Sequence, residues 1–143
     1  MQVKHINAVE AKKLVDGGAS PVARASVFSF AKAQKGEAAL LVAQPEGNLL
    51  VTCDSVQHWP DTAGCSFVGG LVSRAMGFLN ERAKLGPIWL KQMTGGNPRA
   101  LVPDFERLLA LDFAHLLSGH GSLLREGAHA ALAQSCRNTL GMR

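Results

Sequence analysis

The chain has 143 residues, 47% of them hydrophobic and 18% charged, with a formal net charge of +4. That length suits one domain spanning 1–143 with a real core, and it is short for two. No run approaches the roughly 18 uninterrupted apolar residues of a membrane span.

The start, Met1-Gln2-Val3-Lys4-His5, lacks the apolar stretch of a signal peptide, so the cytoplasm is the expected compartment. The charge is scattered. Lys12-Lys13 is the only basic doublet, and tyrosine is absent, so nothing interleaves aromatic and basic residues as base-stacking surfaces do. A nucleic-acid partner is therefore not expected. Cys53, Cys65 and Cys136 are odd in number and widely spaced, with no CxxC pair, which argues against a disulfide framework or a structural zinc cluster.

Asn7 to Val15 reads as a short helix, with Ala8, Ala11, Leu14 and Val15 on one side and Asp16-Gly17-Gly18 as its stop. Val22 to Phe30 is strand-like. After a turn at Lys35-Gly36 come strands Ala38 to Ala43 and Leu49 to Cys53, joined at Pro45-Glu46-Gly47-Asn48 as a hairpin. Phe67 to Ala83 has the clearest helical period. Val68, Leu71, Val72, Ala75, Met76, Leu79 and Ala83 form its apolar stripe, which the glycines at 69, 70 and 77 weaken.

The segment from Gly86 to Lys91 reads as an apolar connector. Pro103-Asp104-Phe105-Glu106 opens a helix, with proline in the first turn and acids where the helix dipole favours them. Phe105, Leu108 and Leu109 would face inward. A last strand, Phe113 to Leu117, leads into Gly119-His120-Gly121. The final helix, about Glu126 to Leu140, carries Ala128, Ala131, Leu132, Ser135 and Cys136 on one stripe and stops at Gly141. The order α-β-β-β-α-α-β-α makes a mixed α/β fold.

Two of these apolar runs end in residues that bind metals or move protons. Leu49-Leu50-Val51-Thr52-Cys53 delivers Asp54, and Phe113 to Ser118 delivers His120 between two glycines. A carboxylate at a strand end can ligate a metal, act as a base, or cap the next turn. Glycines on both sides of His120 let the backbone turn sharply and bring the ring close to a bound group. His58 and Trp59 fall just after Asp54, at the same mouth. His5, His115 and His129 are weaker candidates: His115 lies inside an apolar strand, where a histidine is more often hydrogen-bonded or at an edge than a ligand, and His129 falls in the polar half of the last helix. Cys53 could be a nucleophile, but nothing local marks it as a thiolate, and a buried strand cysteine is the plainer reading. GxSxG, Walker-type, HExxH and GxGxxG patterns are all missing.

From about Arg24 onward, the order of these pieces resembles the C-terminal half of the metallo-β-lactamase fold. "LLVTCDSVQHW" looks like the family's strand ending in Gly-Asp. "MGF" and "GPIWLKQMT" fall in a helical insert. "DFERLLALDFAHLLSGHG" looks like the strand ending in the last site histidine. The resemblance implies a partial αββα sandwich with a mixed sheet flanked by helices. It also implies a hydrolytic metal site, holding zinc or else iron or manganese, in which metal-activated water attacks esters, amides, thioesters or phosphodiesters. Asp54 matches the bridging aspartate by position, and His120 matches the last histidine.

The departures are as informative. The family's HxHxDH motif is absent. Its H-[ST]-x-G-H stretch reads Ala33-Gln34-Lys35-Gly36-Glu37, and Cys53 stands where glycine is common. A catalytic zinc takes about three protein ligands and a water. This chain matches two, with His58 or Glu37 as an unmatched third, so the expectation is an incomplete site, weak or inactive in a single chain and quite compatible with a metal-free protein. The alternative is a non-catalytic domain that binds a small molecule or another protein at the same edge. Half a sandwich would expose a sheet face. The apolar set Val27, Phe28, Phe30, Leu40, Leu41 and Leu50 then predicts a homodimer, or a complex, that buries it.

Overall fold

In a computed structural model, the described residues are 20, 23–62 and 65–143, and the helix expected at Asn7–Val15 lies outside them. The alternating run after Arg24 forms β1, Ala25–Ser29, which pairs antiparallel with β2, Ala38–Val42, with Val27 opposite Leu40. The hairpin expected next is present. β2 turns through Pro45 to Asn48 into β3, Leu49–Val51, with Val42 opposite Leu49. Its turn needs a glycine, because Gly47 has φ +114° and a Cβ there would meet that of Ala114 at 2.7 Å.

The fourth strand of this sheet comes from far along the chain. β6, His115–Leu117, joins β3 in parallel, with Leu50 opposite Leu116, and the sheet order is β1-β2-β3-β6. A two-stranded ribbon stands apart. It pairs β4, Val56–Gln57, with β5, Lys84–Leu85. Neither member was legible in the sequence, since two residues carry no period.

Four helices are described. α1 is Phe67–Ala75, α2 is Pro87–Thr94, α3 is Val102–Leu109 and α4 is Ala128–Leu140. No helix among the described residues is long and apolar enough to cross a membrane. α4 starts two residues later than expected and ends as expected at Gly141, whose φ of +68° suits a helix stop. Its stripe of Ala128, Leu132, Ser135 and Cys136 is buried, and Phe105 and Leu108 of α3 are buried with it, while Leu109 is half-buried. These side chains meet Phe28, Ala39, Leu50 and Leu116 from one face of the sheet in a single core. At one end of that core Phe30 packs edge-on to Trp89 and Phe105, with ring centroids 5.2 and 5.6 Å apart.

Two expectations are corrected here. The predicted helix Phe67–Ala83 stops early. Gly77, at φ +69°, breaks it, a short 3-10 turn follows at Phe78–Asn80, and the chain then leaves to form β5. Because the chain turns away, the apolar stripe of α1 is not carried to the core. Phe67 is 89% exposed and Leu71 62%. The supposed connector at Gly86–Lys91 is instead the start of α2, where Gly86 caps and Pro87 occupies the first turn.

The six residues expected to form one wet sheet face also divide. Phe28, Phe30 and Leu50 are buried within the chain, whereas Val27, Leu40 and Leu41 are half-buried. The register explains most of this. Val27, Leu40, Val51 and Leu117 stand opposite one another across the four strands, one face away from Leu41, Leu50 and Leu116.

Candidate active site at the paired ends of β3 and β6

Parallel pairing makes the site. Two strands that run the same way end on the same edge, so the residues after β3 meet the residues after β6. The ladder continues beyond both strands, with Thr52 N–H donating to Leu117 O at 2.8 Å and Gly119 N–H to Cys53 O at 3.2 Å. Asp54 and His120 are thereby brought face to face, with Nε2 of His120 3.0 Å from Oδ1 of Asp54.

Local chemistry holds each arm. The buried Thr52 hydroxyl donates to Val56 O at 2.7 Å and closes the turn that carries Asp54. On the other arm the Ser118 hydroxyl donates to the carbonyl of His120. The glycines around His120 work as their positions suggested. A Cβ on Gly119 would touch the Cys53 carbonyl at 3.4 Å, and one on Gly121, which has φ +87°, would meet the His58 carbonyl at 2.0 Å.

The contact between the two side chains is close but badly aligned for a hydrogen bond. Oδ1 of Asp54 is buried and has no hydrogen-bond partner. Both side chains are about half exposed, His120 at 58% and Asp54 at 47%, so the pair sits at an open edge.

Around the pair the charges are negative. Burial raises the Glu37 carboxyl above its usual range, the indole N–H of Trp89 opposes this, and the charge of Asp54 adds to it. Oε1 of Glu37 is a further buried oxygen without a partner. Cys53 is exposed, which corrects the buried-strand reading. Its thiol is nevertheless raised, by partial burial first and then by Asp54 and Glu37, so the surroundings disfavour a thiolate nucleophile.

A cavity of about 320 Å³ opens at the pair, with Gln57, Trp59, Trp89 and Gln92 in its walls. The Trp59 indole donates to Oε1 of Gln57 at 2.9 Å and lies tilted against the Phe78 ring, with centroids 5.9 Å apart. Trp59 was placed at the mouth by sequence. Gln57, Trp89 and Gln92 were missed, and the Gly86-Pro87 pair was the signal that a helix begins there and presents the last two of them.

His58 is not in the wall. Its carbonyl accepts from Ser122 N–H at 2.8 Å, its backbone bridges to Gly121, and its Nδ1 is buried without a partner. His115 and His129 have structural duties. His115 accepts from Glu126 N–H at 3.0 Å on Nδ1 and donates from Nε2 to Glu46 O at 3.2 Å, while His129 donates to Leu109 O at 2.7 Å. Among the described residues, no group of three His, Cys, Asp or Glu is placed to hold a metal ion. Asp54 and His120 are two potential donors, fewer than the about three protein ligands a catalytic zinc takes.

Set against known proteins, the chain matches no family model, no curated protein and no solved structure.

Proposed function

We propose that this chain is a hydrolase-related protein on a metallo-β-lactamase-like half-sandwich, keeping one half of a metal site and weak or inactive as a single copy. The observation that carries this reading is the Asp54–His120 pair. Two strand ends deliver an oxygen and a nitrogen to 3.0 Å, and the buried oxygen is left without a hydrogen bond. Donors preset for a cation have that arrangement, and two of them bind a metal less tightly than three.

Titration with zinc, and separately with iron(II) and manganese(II), tests it by metal analysis after gel filtration. Weak binding that is lost in both Asp54→Ala and His120→Ala is expected. Full retention of zinc by both variants, or no binding by the unsubstituted protein, overturns the proposal.

The cavity supports a second reading, a non-catalytic small-molecule domain with its polar end at the same pair. A ligand whose affinity falls in either variant, in a protein that binds no metal, would favour that alternative. Under both readings a second copy would cover the outer sheet face, where Val27, Leu40, Val51 and Leu117 align. Light scattering is expected to give a dimer, and a monomer at micromolar concentration rules this pairing out.

A further inference from the structure

The cavity at Asp54 and His120 does not end at its own walls. Pro87, Ile88 and Gln92, all on α2, also line a second hollow of about 620 Å³, which continues to Met76 and Lys91. Sharing these three lining residues, the two hollows lie side by side along the first turns of α2 as parts of one candidate cleft, each within the usual small-ligand scale of roughly 300–1,000 Å³.

The cleft changes character along its length. One end is the Asp54–His120 pair. The middle is apolar, with Phe78, Pro87 and Ile88 in the wall, and Ile88 is 58% exposed although it is a large aliphatic side chain on a helix. The far end has Lys91, one helical turn beyond Ile88 and on the same side of α2. Among the described residues no ion pair to Lys91 is present.

We propose that this cleft takes an amphipathic organic anion. Its apolar body covers Ile88 and Phe78, its negative group lies beside Lys91, and its other end reaches Asp54 and His120. The proposal rests on Asp54 and His120 being the working end of the site. It adds the class of ligand that the rest of the cleft selects. An apolar body gains from covering Ile88, and a carboxylate at the opposite end avoids the negative charge of Asp54 and Glu37.

Both tryptophans of the chain, Trp59 and Trp89, line the first cavity, so intrinsic emission reports on it directly. The experiment titrates the protein with octanoate and with 1-octanol, its uncharged counterpart, and repeats both with Lys91→Glu and Ile88→Asp. Octanoate is expected to give a saturable change. Lys91→Glu should weaken octanoate by about fivefold or more and leave 1-octanol within about twofold, as a charge contact requires. Ile88→Asp should weaken both ligands.

Equal weakening of both ligands by Lys91→Glu, no weakening of octanoate, or no saturation with either ligand overturns the proposal. Circular dichroism of each variant separates a lost site from a lost fold. Zinc titration of the unsubstituted protein is read on its own. Zinc binding without octanoate binding removes only the ligand class, and octanoate binding without zinc removes only the metal reading.

Discussion

A Cβ placed on Gly86 would lie 2.1 Å from the carbonyl oxygen of Asp54. The backbone of Gly86 is ordinary for any residue, at φ −62°, so the requirement for glycine is one of space alone. Gly86 N–H donates to Ser55 O at 3.1 Å, which presses the start of α2 against the turn that carries Asp54. Gly86→Ala must push these apart. A loss of about 1–3 kcal/mol in urea unfolding is expected, the range for overpacking a tight site. A shift in tryptophan emission should accompany it, because Trp89 rides on the displaced helix. A variant with unchanged stability and emission would show that the contact yields freely.

Asp104 should be the costliest surface-to-core link to remove. Its buried carboxylate accepts from Ala31 N–H at 3.1 Å and Lys32 N–H at 2.7 Å, tying α3 to the chain leaving β1. Asp104→Ala leaves those donors short and is expected to cost about 2–4 kcal/mol. Arg107, whose Nη1 lies 3.3 Å from the same carboxylate, is half exposed, and Arg107→Ala should cost less. Chemical denaturation of the two variants side by side decides the order.

Alkaline stability should depend on Cys136. Burial pushes its thiol up to about 12 from an ordinary 9.0, with Arg137 opposing and Glu81 adding. The folded chain then holds a proton that the unfolded chain releases. This contribution is complete below pH 9.0 and is lost as pH climbs toward about 12. Cys136→Ala should flatten the fall in melting temperature between those values, though it leaves a small cavity at all pH. An unchanged alkaline slope would assign the effect to other groups.

Glu37 should make the protein less stable at neutral pH than it needs to be. Its carboxyl is raised above the ordinary value of 4.5, so its stabilising share is full below that pH and declines as pH rises through the raised value. Glu37→Gln is expected to be more stable than the parent at pH 7 and no more stable near pH 4. It should also speed the reaction of Cys53 with a disulfide reagent, since Glu37 is one of the charges holding that thiol up. A slower Cys53 in Glu37→Gln would contradict the proposed field.

The two faces of the sheet should respond differently to truncation. Leu50 is wholly buried and Leu117 is 40% exposed, although they sit on neighbouring strands. Leu50→Ala is expected to cost about 2–5 kcal/mol and Leu117→Ala well under half of that at dilute concentration. Parity between them would mean that the outer face is as well covered as the core.

The sequence announced the elements whose signals are local. The hairpin turn at Pro45–Asn48, the stripe of α4 and its glycine stop all arise from short-range chemistry, and each was found close to its place. Asp54 and His120 were legible because each ends an apolar run.

Beyond the two-residue strands β4 and β5, three things were not legible, for physical reasons. α2 hid behind a Gly-Pro pair and a nearly all-apolar first turn, which looks like a connector until the cap is recognised. The stripe of α1 had a helical period, but period tells which residues share a side and not whether a partner arrives to cover them. The wet face of the sheet was assigned by hydrophobicity alone. Register with neighbouring strands, which separates Leu40 from Leu50, is a long-range property.

That long-range property also sets when the site can exist. Antiparallel β2 and β3 can meet through a short turn, but β3 and β6 must wait for all the intervening chain to be gathered in. Closing such a loop costs entropy before any contact repays it, so parallel pairing belongs to the late part of folding. Asp54 and His120 are brought together only when β6 joins β3. A molecule in which β6 has left β3 would lose the pair, and anything held between the two side chains would report that strand pairing.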